Sequence, residues 1–141
     1  MRKTILLILV LLFFRTVNTF GETNNLLKKF QKTKINVEGR ELIVLVADTV
    51  EKREQGLSNI ELNTLNRAGV DGMLFIFNDS SEKTFQAWYM KFDLMLITLE
   101  KIGDKRFKVK DRKSLRIGTI QKVMGKYILE VPLRNTLTGA R

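Results

Sequence analysis

The chain predicts a β-rich α+β domain, mostly antiparallel and curled into a partly closed (half) β-barrel, with one or two short helices. Three features carry that expectation. Short apolar segments recur at close spacing, separated by Gly or by Asn/Asp/Ser clusters, which is the pattern of strands and turns. Only one stretch carries a good helix start and stop, and it is short. No heptad, internal repeat or low-complexity tract runs through the 141 residues, which suffice for one domain with its own core.

The first segment is set apart from that domain. Arg2 and Lys3 precede an unbroken apolar run from Ile5 to Phe14, and Thr19-Phe20-Gly21 offers a cleavage site. The run is shorter than the roughly 20 residues a spanning helix needs. Residues 1–21 therefore read as a secretory signal peptide, which predicts a protein exported to the periplasm or beyond the cell. The alternative is an uncleaved N-terminal membrane anchor. Residues 22–34 are polar and basic and read as a leader, although Leu26, Leu27 and Phe30 would share one stripe of a short helix. The domain proper is placed at 35–141.

Within it, Leu42 to Ala47 is apolar on both faces and reads as a central strand. Asp48 followed by Glu51 has capping-box spacing, predicting a short helix through Arg53 and Gln55 that ends on a left-handed Gly56. Leu57 to Val70 reads as a connection with a turn near Ala68-Gly69. Gly72 is expected to supply a positive-φ turn into a strand over Met73 to Phe77, closed by Asn78-Asp79-Ser80-Ser81. Thr84 to Lys91 and Leu94 to Leu99 follow as strands. Gly103-Asp104 marks a hairpin whose return strand is Arg106 to Lys110, and Ile117 to Val123 with Tyr127 to Val131 form a last pair.

Several blocks occur in a recognisable order: Ala47-Asp48-Thr49 with Gly56-Leu57, then Asp71 to Phe77, then Trp88-Tyr89-Met90-Lys91, then Asp93 opening Leu94 to Ile97, and last Tyr127 to Glu130. Over roughly residues 35 to 131 the chain resembles domain-of-unknown-function family 192, a widespread prokaryotic family that is itself uncharacterised. The resemblance implies a half-open β-barrel and no particular chemistry. Two departures stand out. The Asn-Thr and Pro that the family usually places between Met-Lys and the strand-opening Asp are missing before Asp93. The segment after the Leu-Glu strand is also short, so the chain resembles a divergent, trimmed member.

Composition narrows the chemistry. The formal net charge is +10, and it falls to +7 without residues 1–21, which hold three basic and no acidic side chains. Such an excess favours an anionic small molecule, an envelope component or a protein partner, with a membrane surface as the alternative; export argues against nucleic acid. Cys and His are both absent, which removes Ser–His and Cys–His nucleophile pairs and makes zinc or copper sites improbable. No cofactor is expected.

The ligand-binding candidates are Arg53, Trp88, Lys91 and Asp93. Asp93, at the head of an apolar strand, needs donors; Arg53 and Lys91 are the expected partners, and the simplest reading makes Asp93 a structural tie for loop amides. Trp88, Tyr89, Phe85 and Phe92 fall within eight residues, and strand alternation puts Trp88, Met90 and Phe92 on one face. They read first as core, and alternatively as a surface that stacks on sugars or bases. Lys105 to Arg116 holds seven basic residues and one acidic, which suits either an anionic partner or a solvated edge strand. Asp48 and Glu51 are assigned to the helix cap and not to catalysis. The leading expectation is a small exported binding module with a basic, aromatic-rimmed face. An enzyme built on Asp93, Lys91 and Tyr89 is the first alternative, and it requires those three side chains to converge. A membrane-associated interaction protein is the second.

Overall fold

A computed structural model describes residues 25–133. The expected signal peptide and the C-terminal residues from Arg134 on lie outside the described residues.

The eight strands are β1 (Gln31–Val37), β2 (Arg40–Ala47), β3 (Gly72–Ile76), β4 (Glu82–Gln86), β5 (Leu94–Gly103), β6 (Arg106–Leu115), β7 (Ile120–Met124) and β8 (Tyr127–Pro132). Helices α1 (Val50–Gln55) and α2 (Leu62–Arg67) lie between β2 and β3. Six strands form a ring in the order β1-β2-β3-β8-β5-β6, and β4 and β7 form a separate two-stranded ribbon. The expected β-rich α+β domain, curled on itself, is what the chain forms. Most pairs are antiparallel; β2 with β3 and β1 with β6 are parallel. The seam between β1 and β6 is short, joining Asn36 and Val37 to Arg106 and Phe107.

Alternation along the ring strands separates two cores. Ile35, Val44, Leu74, Ile97, Phe107 and Leu129, one from each of the six ring strands, pack together and fill the interior. Leu45, Met73, Phe75, Leu96 and Ile128 point the other way and are covered by α2, by the connections around it and by the β4–β7 ribbon. The parallel β2–β3 pair follows from the connection: only a crossover long enough to hold two helices can return the chain in the same direction.

Several expectations change here. The domain begins before residue 35: Gln31 to Lys34 are strand, and Phe30 is buried in the outer core. The stretch from Leu57 to Val70 contains α2, whose Leu65 is fully buried. Thr84 to Lys91 is strand only as far as Gln86, because at Ala87 the chain leaves the ribbon and exchanges hydrogen bonds with Thr119 and Gly118. Strands β7 and β8 are consecutive but do not pair; β7 joins β4, while β8 sits between β3 and β5. Residues 115 to 132 therefore bridge the ribbon and the ring, which no local pattern encodes.

Two glycine and cap assignments also change. Thr49, not Asp48, caps α1, its hydroxyl accepting from the Lys52 amide at 3.3 Å, while Asp48 pairs with the Lys52 ammonium. Gly56 does end the helix at positive φ (+50°), but its ψ of −142° lies outside the left-handed helical region. Gly72 has no positive φ; a Cβ there would come within 2.1 Å of the Glu130 carbonyl oxygen. Its role is to let β3 lie close against β8.

Candidate functional site

On the outer face of the ring, between α1 and β4, lies a cleft of about 520 Å³. Its position follows from α1. The Thr49 cap starts the helix, and Gly56 ends it beside Phe75, leaving 3.3 Å between a hypothetical Cβ and the Phe75 ring. Gln55, Leu57 and Ser58, around that close pass, line the cleft together with Phe75 of β3. Arg53 fixes the other end: its Nη1 donates to the Ile76 carbonyl at 2.9 Å, and its guanidinium sits 5.3 Å from the centre of the Phe77 ring.

The walls are aromatic. Phe75 and Phe85 meet edge-to-face at 5.2 Å, and Phe77 meets Phe85 edge-to-face at 6.1 Å. Lys83 caps the Phe77 ring at 5.0 Å while donating to the Asp79 carboxylate and to Ser81, so it fastens the 78–81 turn to the wall. The Lys83 bond first, and then bonds donated by the Ser81 hydroxyl and amide, hold Asp79 well below the usual carboxylate range. At the mouth stand Trp88 and Tyr89, 52% and 68% exposed. The Asn59 amide donates to the Tyr89 carbonyl at 2.8 Å and anchors that backbone.

The floor includes Glu130, on β8 opposite Met73 of β3 and Leu96 of β5. It is 5% exposed, and its Oε2 has no hydrogen-bond partner. Burial in apolar surroundings pushes its carboxyl up to about 8, so the group is neutral at ordinary pH. Gln55 Nε2 is buried beside the same cleft and is also unpartnered. Each such group costs about 1–3 kcal/mol of stability when left unsatisfied. Chemically the cleft offers a neutral carboxyl that donates and accepts, an amide donor, free guanidinium N–H groups on Arg53, and flat aromatic walls.

Of the sequence candidates, Arg53 and Trp88 line this cleft, and Lys91 and Asp93 do not. Asp93 accepts from the Ile117 amide and from Arg116 Nη1, both at 2.9 Å, and those bonds hold it below the usual carboxylate range, the amide first. It is the structural tie that was expected, but through Arg116 and not through Arg53 or Lys91. Lys91 is exposed. Tyr89 lines the cleft without either of them, so this cleft does not bring Asp93, Lys91 and Tyr89 together. The aromatic cluster divides. Phe85 and Phe92 are core, whereas Trp88 and Tyr89 face solvent because the segment after Gln86 is no longer strand. The basic run on β6 is exposed along an edge left unpaired beyond the short seam, and it lines no part of the cleft. Basic strand and aromatic mouth are thus two surfaces.

Glu130 had a signal in the sequence that went unused: one acidic residue inside the apolar run Ile128 to Val131. Gln55 had none.

No family model matches the chain, and no curated protein matches it. Two solved structures share the fold. A candidate transcription regulator from Sinorhizobium meliloti 1021 is 19% identical with a TM-score of 0.56, covering 75% of this chain and 81% of that one. A protein of unknown function from Novosphingobium aromaticivorans DSM 12444 is 18% identical with a TM-score of 0.50, covering 73% of each. At such identities the likeness concerns fold alone.

Proposed function

We propose that the protein is a small exported binding module and that its binding site is the cleft between α1 and β4. The observation that carries this reading is the unpartnered Glu130 Oε2 in the floor of an aromatic-walled cleft. A buried polar group without a partner lowers stability, and a ligand that supplies the partner recovers the loss. The volume lies within the range of sites that hold small organic molecules. Export is supported by the charged, apolar and small-residue pattern of residues 1–21. The ordered sequence blocks support membership of the uncharacterised family as a divergent member.

Native mass spectrometry of the protein exported by its own host and purified gently tests both parts. The expected result is a chain beginning near Glu22 that carries additional bound mass, lost in Trp88→Ala and Glu130→Ala. A chain that retains Met1 refutes export by cleavage. A bare folded chain, equally bare in the variants, refutes the binding module.

The exposed basic edge of β6 favours a second reading, docking on an anionic membrane surface. It requires binding to phosphatidylserine vesicles that weakens steeply with salt and with Lys108→Glu. Salt-independent or absent binding rejects it.

A further inference from the structure

We infer that the ligand of this cleft is a saccharide, a reading that rests on the cleft being a binding site. Three observations converge. Trp88 and Tyr89 are adjacent large aromatics held at the mouth with more than half of each exposed, although neither belongs to a strand or helix. Exposed rings on an anchored backbone present a flat π face, and the C–H face of a pyranose is the apolar, slightly positive surface that stacks on it. Two polar atoms below them, Gln55 Nε2 and Glu130 Oε2, have no partner. Around them the walls carry Glu54, Ser58, Thr84 and Gln86, uncharged or acceptor groups that suit hydroxyls.

The two unpartnered atoms discriminate between ligand classes. An amide N–H only donates, so Gln55 needs an acceptor. A carboxylate ligand would supply it and could also accept from the neutral Glu130 carboxyl, but it would bring a formal charge against the Phe75 and Phe85 rings. An ammonium would satisfy Glu130 and leave Gln55 unpaired, in a cleft whose walls already hold the Arg53 and Lys83 cations. A hydroxyl donates and accepts at once. A ligand that carries several hydroxyls can therefore satisfy both atoms, with no charge buried against Phe75 and Phe85. A sugar is the ligand whose two sides match the two parts of the cleft.

Trp88 is the sole tryptophan, so its emission reports on the mouth directly. The experiment titrates the full mature chain with glucose, galactose, mannose, N-acetylglucosamine and glucuronate, and screens it on a glycan array. Benzoate and benzylammonium are titrated in parallel. The expected result is a saturable change in Trp88 emission with at least one saccharide or array glycan. Its affinity falls at least tenfold in Gln55→Ala and in Tyr89→Ala, and is unchanged in Ile102→Ala, an exposed position near the end of β5 that does not line the cleft. Benzoate or benzylammonium binding that is lost in Gln55→Ala, with no saccharide response, overturns the saccharide assignment and leaves the binding module standing. Silence with every probe, together with a bare native mass, overturns both. Saccharide binding that survives Gln55→Ala and Tyr89→Ala overturns the assignment to this cleft.

Discussion

Replacing Glu130 with Gln should remove a pH dependence of stability that the wild-type protein carries. The Glu130 carboxyl rises from 4.5 in the unfolded chain to about 8 in the folded one, through burial alone. Between those values the folded protein holds a proton that the unfolded chain has released. Its contribution to stability is therefore complete below about 4.5, declines as pH rises through the window, and is gone above about 8. The slope is about 1.4 kcal/mol per pH unit, so the whole window is worth about 5 kcal/mol. That is a large share of the roughly 5–15 kcal/mol by which a domain is stable. Asp79 and Asp93 are shifted downward, so their contributions have the opposite sign and are lost only on acidification, outside this window. Gln keeps the shape of Glu and has no charge to bury. Urea denaturation of both proteins, followed by circular dichroism at four pH values from about 5 to about 9, measures the difference directly. The wild type should lose stability relative to Glu130→Gln at about 1.4 kcal/mol per unit and level off near the top of the range. Parallel curves would refute the reasoning, because they would mean that Glu130 is solvated or paired in the folded protein.

Other substitutions test other parts of the structure. Gly72→Ala places a methyl group against the Glu130 carbonyl and should cost about 3 kcal/mol or more, read as a lower urea midpoint or loss of soluble protein. Thr49→Ala should cost about 1 kcal/mol through loss of the α1 cap, whereas Asp48→Ala should cost less than about 0.5 kcal/mol; the reverse order in thermal melts would restore Asp48 as the cap. Asp93→Ala should lower the melting temperature by freeing the Arg116–Ile117 loop while leaving any ligand bound as in wild type, and a selective loss of ligand would return Asp93 to the site. Leu45→Ala, fully buried between β2 and the layer covering it, should cost about 2–5 kcal/mol in the same urea assay.

The local chemistry of the fold was legible from the residues. Leu42 to Ala47 read as a strand buried on both faces from its unbroken run of β-branched and apolar side chains, and all of it but Ile43 is buried. The hairpin at Gly103-Asp104 and the turn over Asn78 to Ser81 were equally local, because turn residues act on their own backbone. The absence of Cys and His fixed from the outset which nucleophiles and soft-metal ligands the chain can supply. Asp93 announced its need for donors, since a carboxylate at the head of an apolar strand must be paired.

What tertiary structure decided was which segments meet. Sequence neighbours suggested that β7 and β8 would pair, yet strand pairing across the molecule sends one to β4 and the other between β3 and β5. Trp88 and Tyr89 look like core in a strand pattern and reach solvent only because the ribbon ends at Gln86. Glu130 is an ordinary acidic residue until β3 and β5 flank it and the cleft closes over it. Gln55 and Glu130 lie 75 positions apart and share one cleft only because the ring brings β8 beneath the end of α1. Propensity and turn chemistry act over a few residues, so they set each element. Burial, and with it the protonation of Glu130, depends on every element packed around a site, and no single stretch of the chain contains that information.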